Sequence, residues 1–126
     1  MKAIKIDVVK QDVYYVEMEK DYHRIYDEIG NGCTLFCCPV EFDNSDALYS
    51  DDEGLLHENL EGCFMMEGWR IPLVGNAIIL GTDEEGDSTD VASTVEEIKS
   101  KIIFWGDKKK AEDYRKIAMN QKPVFY

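Results

Sequence analysis

The chain reads as an α+β protein: mainly antiparallel sheet, with one helix after the first hairpin and one or two helices at the C-terminus. Three observations predict this. Two runs that alternate or are rich in β-branched and aromatic residues, Lys2 to Val9 and Val13 to Met18, stand three residues apart near the start. The tetrapeptide Ala77 to Leu80 is apolar on both faces, as a central strand is. Apolar residues recur at helical spacing over 22–29, and a T-x-x-E capping pattern occurs at 94–97. A length of 126 residues suits a single domain, 1–126, with a sheet-rich core over 1–105 and a C-terminal helix and tail over 106–126.

The first two runs form an antiparallel hairpin across Lys10, Gln11 and Asp12. Asp21 then caps a helix whose apolar face is Tyr22, Ile25, Tyr26 and Ile29, and Gly30-Asn31-Gly32 supplies the left-handed residues that end it. His23 lies off that face, as a solvated side chain. Thr34 to Cys38 is a short strand halted by Pro39, followed by acidic turn residues from Glu41 to Asp46. Ala47 to Tyr49 is a brief apolar island before the surface turn Asp51-Asp52-Glu53-Gly54, and Leu55 and Leu56 return the chain to the interior. Cys63 to Met66 and Trp69 to Val74 are strands, and Gly75-Asn76 is a hairpin dipeptide leading into Ala77 to Leu80. Gly81 to Asp90 breaks the pattern, so the sheet presents a loop to solvent at that point. A helix over about 94–101, with Val95, Ile98 and Ile102 on one face, leads into a closing strand. A last helix runs from Gly106-Asp107 to Met119, with Ala111, Tyr114, Ile117 and Ala118 inward and Lys108, Lys109, Lys110, Arg115 and Lys116 on its exposed side. Pro123 ends the ordered part, before Val124, Phe125 and Tyr126.

Charge is the most informative quantity. The formal net is −12, but residues 41–90 hold fourteen Asp and Glu against Arg70 alone, a net of −13, so the other 76 residues sum to +1. Such a surface repels long nucleic acid and favours a basic partner; the plainer alternative is a solvated acidic face with no partner. The longest apolar run is about four residues, too short for a membrane span, and the N-terminus lacks the apolar middle of a secretion signal, so cytoplasmic residence is expected. Cys33, Cys37, Cys38 and Cys63 are then expected to be reduced, packing as small hydrophobes in preference to holding a disulfide or a metal.

Chemical signatures are sparse. Asp83, Glu85, Asp87 and Asp90 around Gly86 invite a calcium reading, but their spacing is not that of a calcium loop, and an acidic turn is the better description. His23 and His57 stand in no local nucleophile motif, and GNGC and GTDEEGD match no phosphate-binding glycine loop. Glu67 beside Trp69 and Arg70 is read as a surface pair. No cofactor, metal or catalytic residue is assigned. The lysines at 108–110 are read as a solvated face, or as a partner for the acidic segment of another copy, which leaves a homo-oligomer open.

The strings DDEGLL, EGCFMMEGW and VGNAIILGTDEEGDS, with MKAIKID at the start and an IGNG turn, resemble an uncharacterised domain-of-unknown-function family (DUF3846-like) of phages, plasmids and conjugative elements of gut bacteria. The likeness covers roughly residues 1–100 and is most specific in the last string. It implies no activity and no catalytic residue. It implies a setting, a small accessory protein of a mobile element, where such genes frequently antagonise host defence. The leading expectation is thus a non-catalytic binding protein that sequesters a host component. For a small nucleotide-like ligand the site is Trp69 (stacking), Arg70 (phosphate), Asn76 and Thr82. For a basic protein surface it is Asp51, Asp52, Glu53, Asp83, Glu84, Glu85, Asp87 and Asp90. The alternatives are a DNA-mimic antirestriction protein and a small enzyme or regulator of the element.

Overall fold

A computed structural model describes residues 1–120; the features expected at 123–126 lie outside the described residues. Strands β1 (Lys2–Asp7) and β2 (Asp12–Glu17) form the expected hairpin, in register from Lys2–Glu17 to Asp7–Asp12. Its turn is built by Asp7, whose Oδ1 accepts the backbone N–H groups of Val9 and Lys10 and whose Oδ2 accepts the Tyr14 hydroxyl at 2.7 Å.

Helix α1 (His23–Ile29) buries Ile25 and Ile29, each worth about 1.5–3 kcal/mol on leaving water. Tyr22, not Asp21, holds the cap position; the Asp21 carboxylate acts one residue further out, accepting the His23 N–H at 3.0 Å. Gly30, Asn31 and Gly32 all have positive φ and end the helix as expected.

Strand β3 (Phe36–Glu41) corrects the reading of Pro39 as a stop. The strand runs through it, with the register shifting between Cys37 and Val40. Because β3 lies at the sheet edge, a residue without an N–H costs no ladder bond on the open side. The apolar island is in fact a full strand, β4 (Asp46–Asp51), between β3 and β7 (Ala77–Thr82). After a single 3-10 turn at Gly54–Leu56, Leu55 packs inward, but Leu56 stays 64% exposed. Strand β5 (Cys63–Met66) follows.

Of the expected strand 69–74 only β6 (Leu73–Val74) forms, since Trp69 N–H closes a turn on Met66 O and Pro72 has no donor. Gly75-Asn76 is not a hairpin turn. Val74 pairs with Cys63 in one sheet and Ala77 with Ile6 and Ser50 in the other, so the dipeptide carries the chain between sheets. The pattern after Leu80 is a second hairpin, not an open loop: β7 continues to Thr82 and pairs with β8 (Ser88–Thr89). Thr94 caps α2 (Val95–Lys101) by accepting the Glu97 N–H, and β9 (Ile102–Gly106) and α3 (Lys108–Asn120) complete the described chain.

The strands make two antiparallel sheets, β2-β1-β7-β4-β3 with β8 beside β7, and β6-β5-β9. Layering explains the apolar β7. Ala77 and Ile79 pack with Ile4, Ile6, Leu48, Phe64 and Ile98 between the two sheets and α2. Ile78 and Leu80 face the other way, onto Ile25 and Ile29 of α1. Helix α3 covers part of the outer face of the small sheet through Ala111, beside Cys63 and Val74. Its contact line is narrow, so Ile117, expected inward, is 64% exposed. Arg115, expected on the free side, donates to His57 O at 2.7 Å.

Candidate functional site

One end of the large sheet gathers the turn between β3 and β4 and the hairpin between β7 and β8. They lie side by side because Thr82 N–H donates to Ser45 O at 2.9 Å. Beneath them Asp46 is buried, its Oδ1 accepting Ala92 N–H at 2.9 Å and its Oδ2 accepting Ser93 N–H at 2.8 Å. Asn44 completes the anchor: Oδ1 accepts Asp46 N–H and Nδ2 donates to Ser93 Oγ. Gly81 is required here, since a Cβ on it would stand 2.3 Å from Asp90 O.

The hairpin is held by its own aspartate. Asp83 Oδ1 accepts the N–H groups of Glu85 and Asp87, both at 2.9 Å, while Asp83 N–H donates to Asp87 O and Gly86, at φ 87°, turns the chain. Glu84, Glu85 and Asp87 are exposed, as are Glu41 and Asp43 on the neighbouring strand end and turn. Among the described residues none of these carboxylates is in an ion pair; within 41–90 the only ion pair is Asp51 with His57. The end is also grooved. A concavity of about 340 Å³ lies between Glu41, Asp43, Glu67 and Lys101, one of about 260 Å³ beside Glu41 and Thr82, and one of about 290 Å³ between Asp21, Lys20 and Asp87. Lys101 Nζ lies 5.3 Å from the centre of the Phe42 ring instead of pairing with a carboxylate.

The sequence-predicted residues are thus divided. Asp83, Glu84, Glu85 and Asp87 meet at this end; Asp90, next to β8, accepts Lys2 N–H at 2.8 Å. Asp51, Asp52 and Glu53 lie at the opposite end of β4, about 17 Å away at roughly 3.3 Å per residue. Asp51 is no surface group: its side chain is 3% exposed, bonded to His57 Nε2 and to Glu53 N–H. Of the nucleotide set, Asn76 is consumed by the fold, with Oδ1 on Val8 N–H and Nδ2 on Ile29 O. Trp69 and Arg70 line one shallow concavity of about 360 Å³, Trp69 also borders a groove of about 250 Å³ under the small sheet, and Thr82 lines a different groove. These four do not converge. Glu41 and Asp43 were not among the predicted site residues; they are neighbours of the hairpin only through the pairing of β4 with β7.

The Trp69 groove also borders Cys37, Ser50 and Asp51. Its thiol is not activated: burial pushes Cys37 up, and burial followed by the Asp51 charge pushes the nearby Cys33 to about 11. His57 Nε2 is committed to Asp51. Among the described residues no group of three or more His, Cys, Asp or Glu side chains is placed to hold a metal ion. No described helix is long and apolar enough to cross a membrane.

Fold and site together define a layered α+β protein that carries a carboxylate-rich sheet end. A family model described as a domain of unknown function (DUF3846) matches residues 1–103, and the chain belongs to that family. No curated protein and no solved structure matches the chain.

Proposed function

We propose that the protein is a non-catalytic binding protein whose acidic sheet end, Glu41, Asp43, Glu84, Glu85 and Asp87, engages a basic surface on a protein partner. One observation carries this reading: these carboxylates are held on braced turns, yet none has a cation of its own among the described residues. Mutual repulsion on such a surface destabilises the compact state, and a basic partner relieves it. The flanking grooves suit the aliphatic stems of lysine and arginine, which bury while their charged heads meet carboxylates. In the mobile-element setting implied by the resemblance, the partner is a component of host defence, and the protein acts by sequestering it in the cytoplasm.

The small-nucleotide alternative has less support: Trp69 and Arg70 share one shallow concavity, but Thr82 lies at the other site and Asn76 is consumed by the fold. A DNA mimic calls for carboxylates spaced along a continuous surface, whereas here they fall into separate groups at the two ends of β4. Nor does a residue set at this end supply a nucleophile for an enzyme.

The test is retention of proteins from a host lysate on the immobilised chain. Replacing Glu84, Glu85 and Asp87 by Gln, Gln and Asn, with Asp83 kept to brace the turn, should abolish specific retention. Replacing Asp52 and Glu53 in the same way should leave it intact. Equal retention by both variants and the parent protein would contradict the proposal.

A further inference from the structure

We propose that the open edge of β9 is a two-fold interface that joins the small sheets of two copies of this chain into one continuous sheet. β9 has β5 on one side and, among the described residues, no strand on the other. An edge strand offers backbone donors and acceptors to any further strand, and natural proteins blunt such edges with charge or cover them. This edge has a bulge at Trp105 and charges only at its two ends, and its outward side chains are apolar. Ile103 is 71% exposed and Trp105 39% exposed, both on the outer face, while Ile102 and Phe104 turn into the core between the sheets.

The occupant is read from the strand Ile102–Gly106 and the two residues that flank it, Lys101 at the end of α2 and Asp107 before α3. An antiparallel two-fold pairing centred on Phe104 sets Ile103 of one copy opposite Trp105 of the other, twice, so that four apolar side chains form one outer cluster. The same register sets Lys101 opposite Asp107 of the second copy at both ends. Centring the axis between Ile103 and Phe104 would oppose outward to inward residues. Centring it on Ile103 sets Lys101 against Trp105, and centring it on Trp105 sets Asp107 against Ile103. The Phe104 register is the one that matches apolar with apolar and cation with anion throughout.

Contacts within the chain leave these groups available: Lys101 Nζ lies 5.3 Å from the Phe42 ring, beside the groove at the acidic end, and among the described residues pairs with no carboxylate. Trp105 stacks edge-on against Tyr114 with centroids 5.9 Å apart, and Lys110 Nζ lies 4.5 Å from its ring, yet the outward part of the indole remains open. Asp107 spends Oδ1 on the Lys110 N–H and keeps Oδ2. The register shift between Cys63 and Phe64 leaves Trp105 as the extra residue of a bulge, so the regular ladder is short and the two charge pairs flank it. Each copy carries a net −12, so added salt should strengthen this association, opposite to its effect on binding at the acidic end.

Sedimentation velocity of the full chain over a range of concentrations should show conversion to twice 14.5 kDa. Lys101→Glu alone, or Asp107→Lys alone, turns both attractive pairs repulsive and should raise the dimer dissociation constant by about tenfold or more. Mixing the two variants restores both pairs in a heterodimer, which should form at the wild-type concentration. Ile103→Glu, at a site too exposed to affect folding, should also give monomer, with circular dichroism confirming that each variant is folded. A wild-type chain that stays monomeric throughout would overturn the proposal. So would single variants that dimerise normally, a mixture that does not recover, or dimer that appears only once residues 121–126 are removed, which would make the chain's own tail the occupant.

Discussion

Asp46 belongs by sequence to the acidic segment, yet its carboxylate is an internal part of the fold, and Asp46→Asn separates the two roles. Both oxygens accept backbone N–H groups, a partly buried one from Ala92 and a buried one from Ser93, and neither meets a cation. An amide can satisfy only one of the two, because its NH2 group turns a donor toward the other donor. The substitution therefore loses one charge-assisted bond, reduces the other to a neutral one, and leaves one backbone N–H facing a donor. At about 1.5–3 kcal/mol for a hydrogen bond to a charged group, the expected loss is about 2–4 kcal/mol. For a domain of this size that lowers the Tm by roughly 10 °C. Urea unfolding followed by circular dichroism and tryptophan fluorescence gives the value. Asp43→Asn is the matched control, three residues away, exposed and without a bonded partner, and should fall within about 0.5 kcal/mol of the parent. If the two variants unfold at the same urea concentration, Asp46 does not anchor the turn and the description of the sheet end is wrong.

Three further outcomes follow from the same structure. Glu61 is raised by burial and then by the Asp7 charge, and its Oε1 has no partner among the described residues. A carboxyl raised on folding penalises the folded state above its folded pKa and no longer does so below its unfolded value of 4.5. Glu61→Gln should therefore stabilise at pH 8, with the gain gone at pH 4; a pH-independent difference in urea midpoint would contradict this. Gly81→Ala forces a Cβ against Asp90 O and should unfold well before the parent, whereas Gly68→Ala, where a Cβ meets nothing within 4 Å, should cost only the strain of its positive φ. Thiol titration at pH 8 should give one group that reacts ahead of the others, removed by Cys38→Ser, since Cys38 is the exposed cysteine. Burial of its sulfur and then the Glu41 charge push its thiol up and keep the reaction slower than that of a free thiol. Cys33 and Cys63, buried and pushed to about 11, should react only on unfolding; an early phase surviving the substitution would refute the assignment.

Local pattern carried most of the elements. The period-two runs at β1 and β2, the Thr94–Glu97 cap, and the doubly apolar β7 are each set by neighbouring residues, and each stands where the sequence placed it. What misled was pairing between distant segments. Pro39 stops a strand only if its missing N–H is needed, and that depends on β3 being an edge. Gly75-Asn76 has turn chemistry, but whether the turn closes a hairpin or changes sheets depends on where Cys63 and Ile6 lie. Carboxylate counting had the same weakness: it cannot tell Asp46 and Asp51, which serve the interior, from Glu84 and Glu85, which face water. The β4–β7 pairing splits the acidic segment between two ends of a strand and brings Glu41 and Asp43 to the hairpin, a proximity with no local signal.

The most direct measurement is calorimetric titration, at low and at physiological salt, of a partner recovered on the immobilised chain, comparing the parent protein with the Glu84, Glu85 and Asp87 neutralised variant. A basic surface meeting this sheet end should bind the parent about tenfold or more weaker at the higher salt, and the variant should bind weakly with little salt dependence. Equal affinity of parent and variant at both salts would show that the carboxylates of the hairpin recognise nothing.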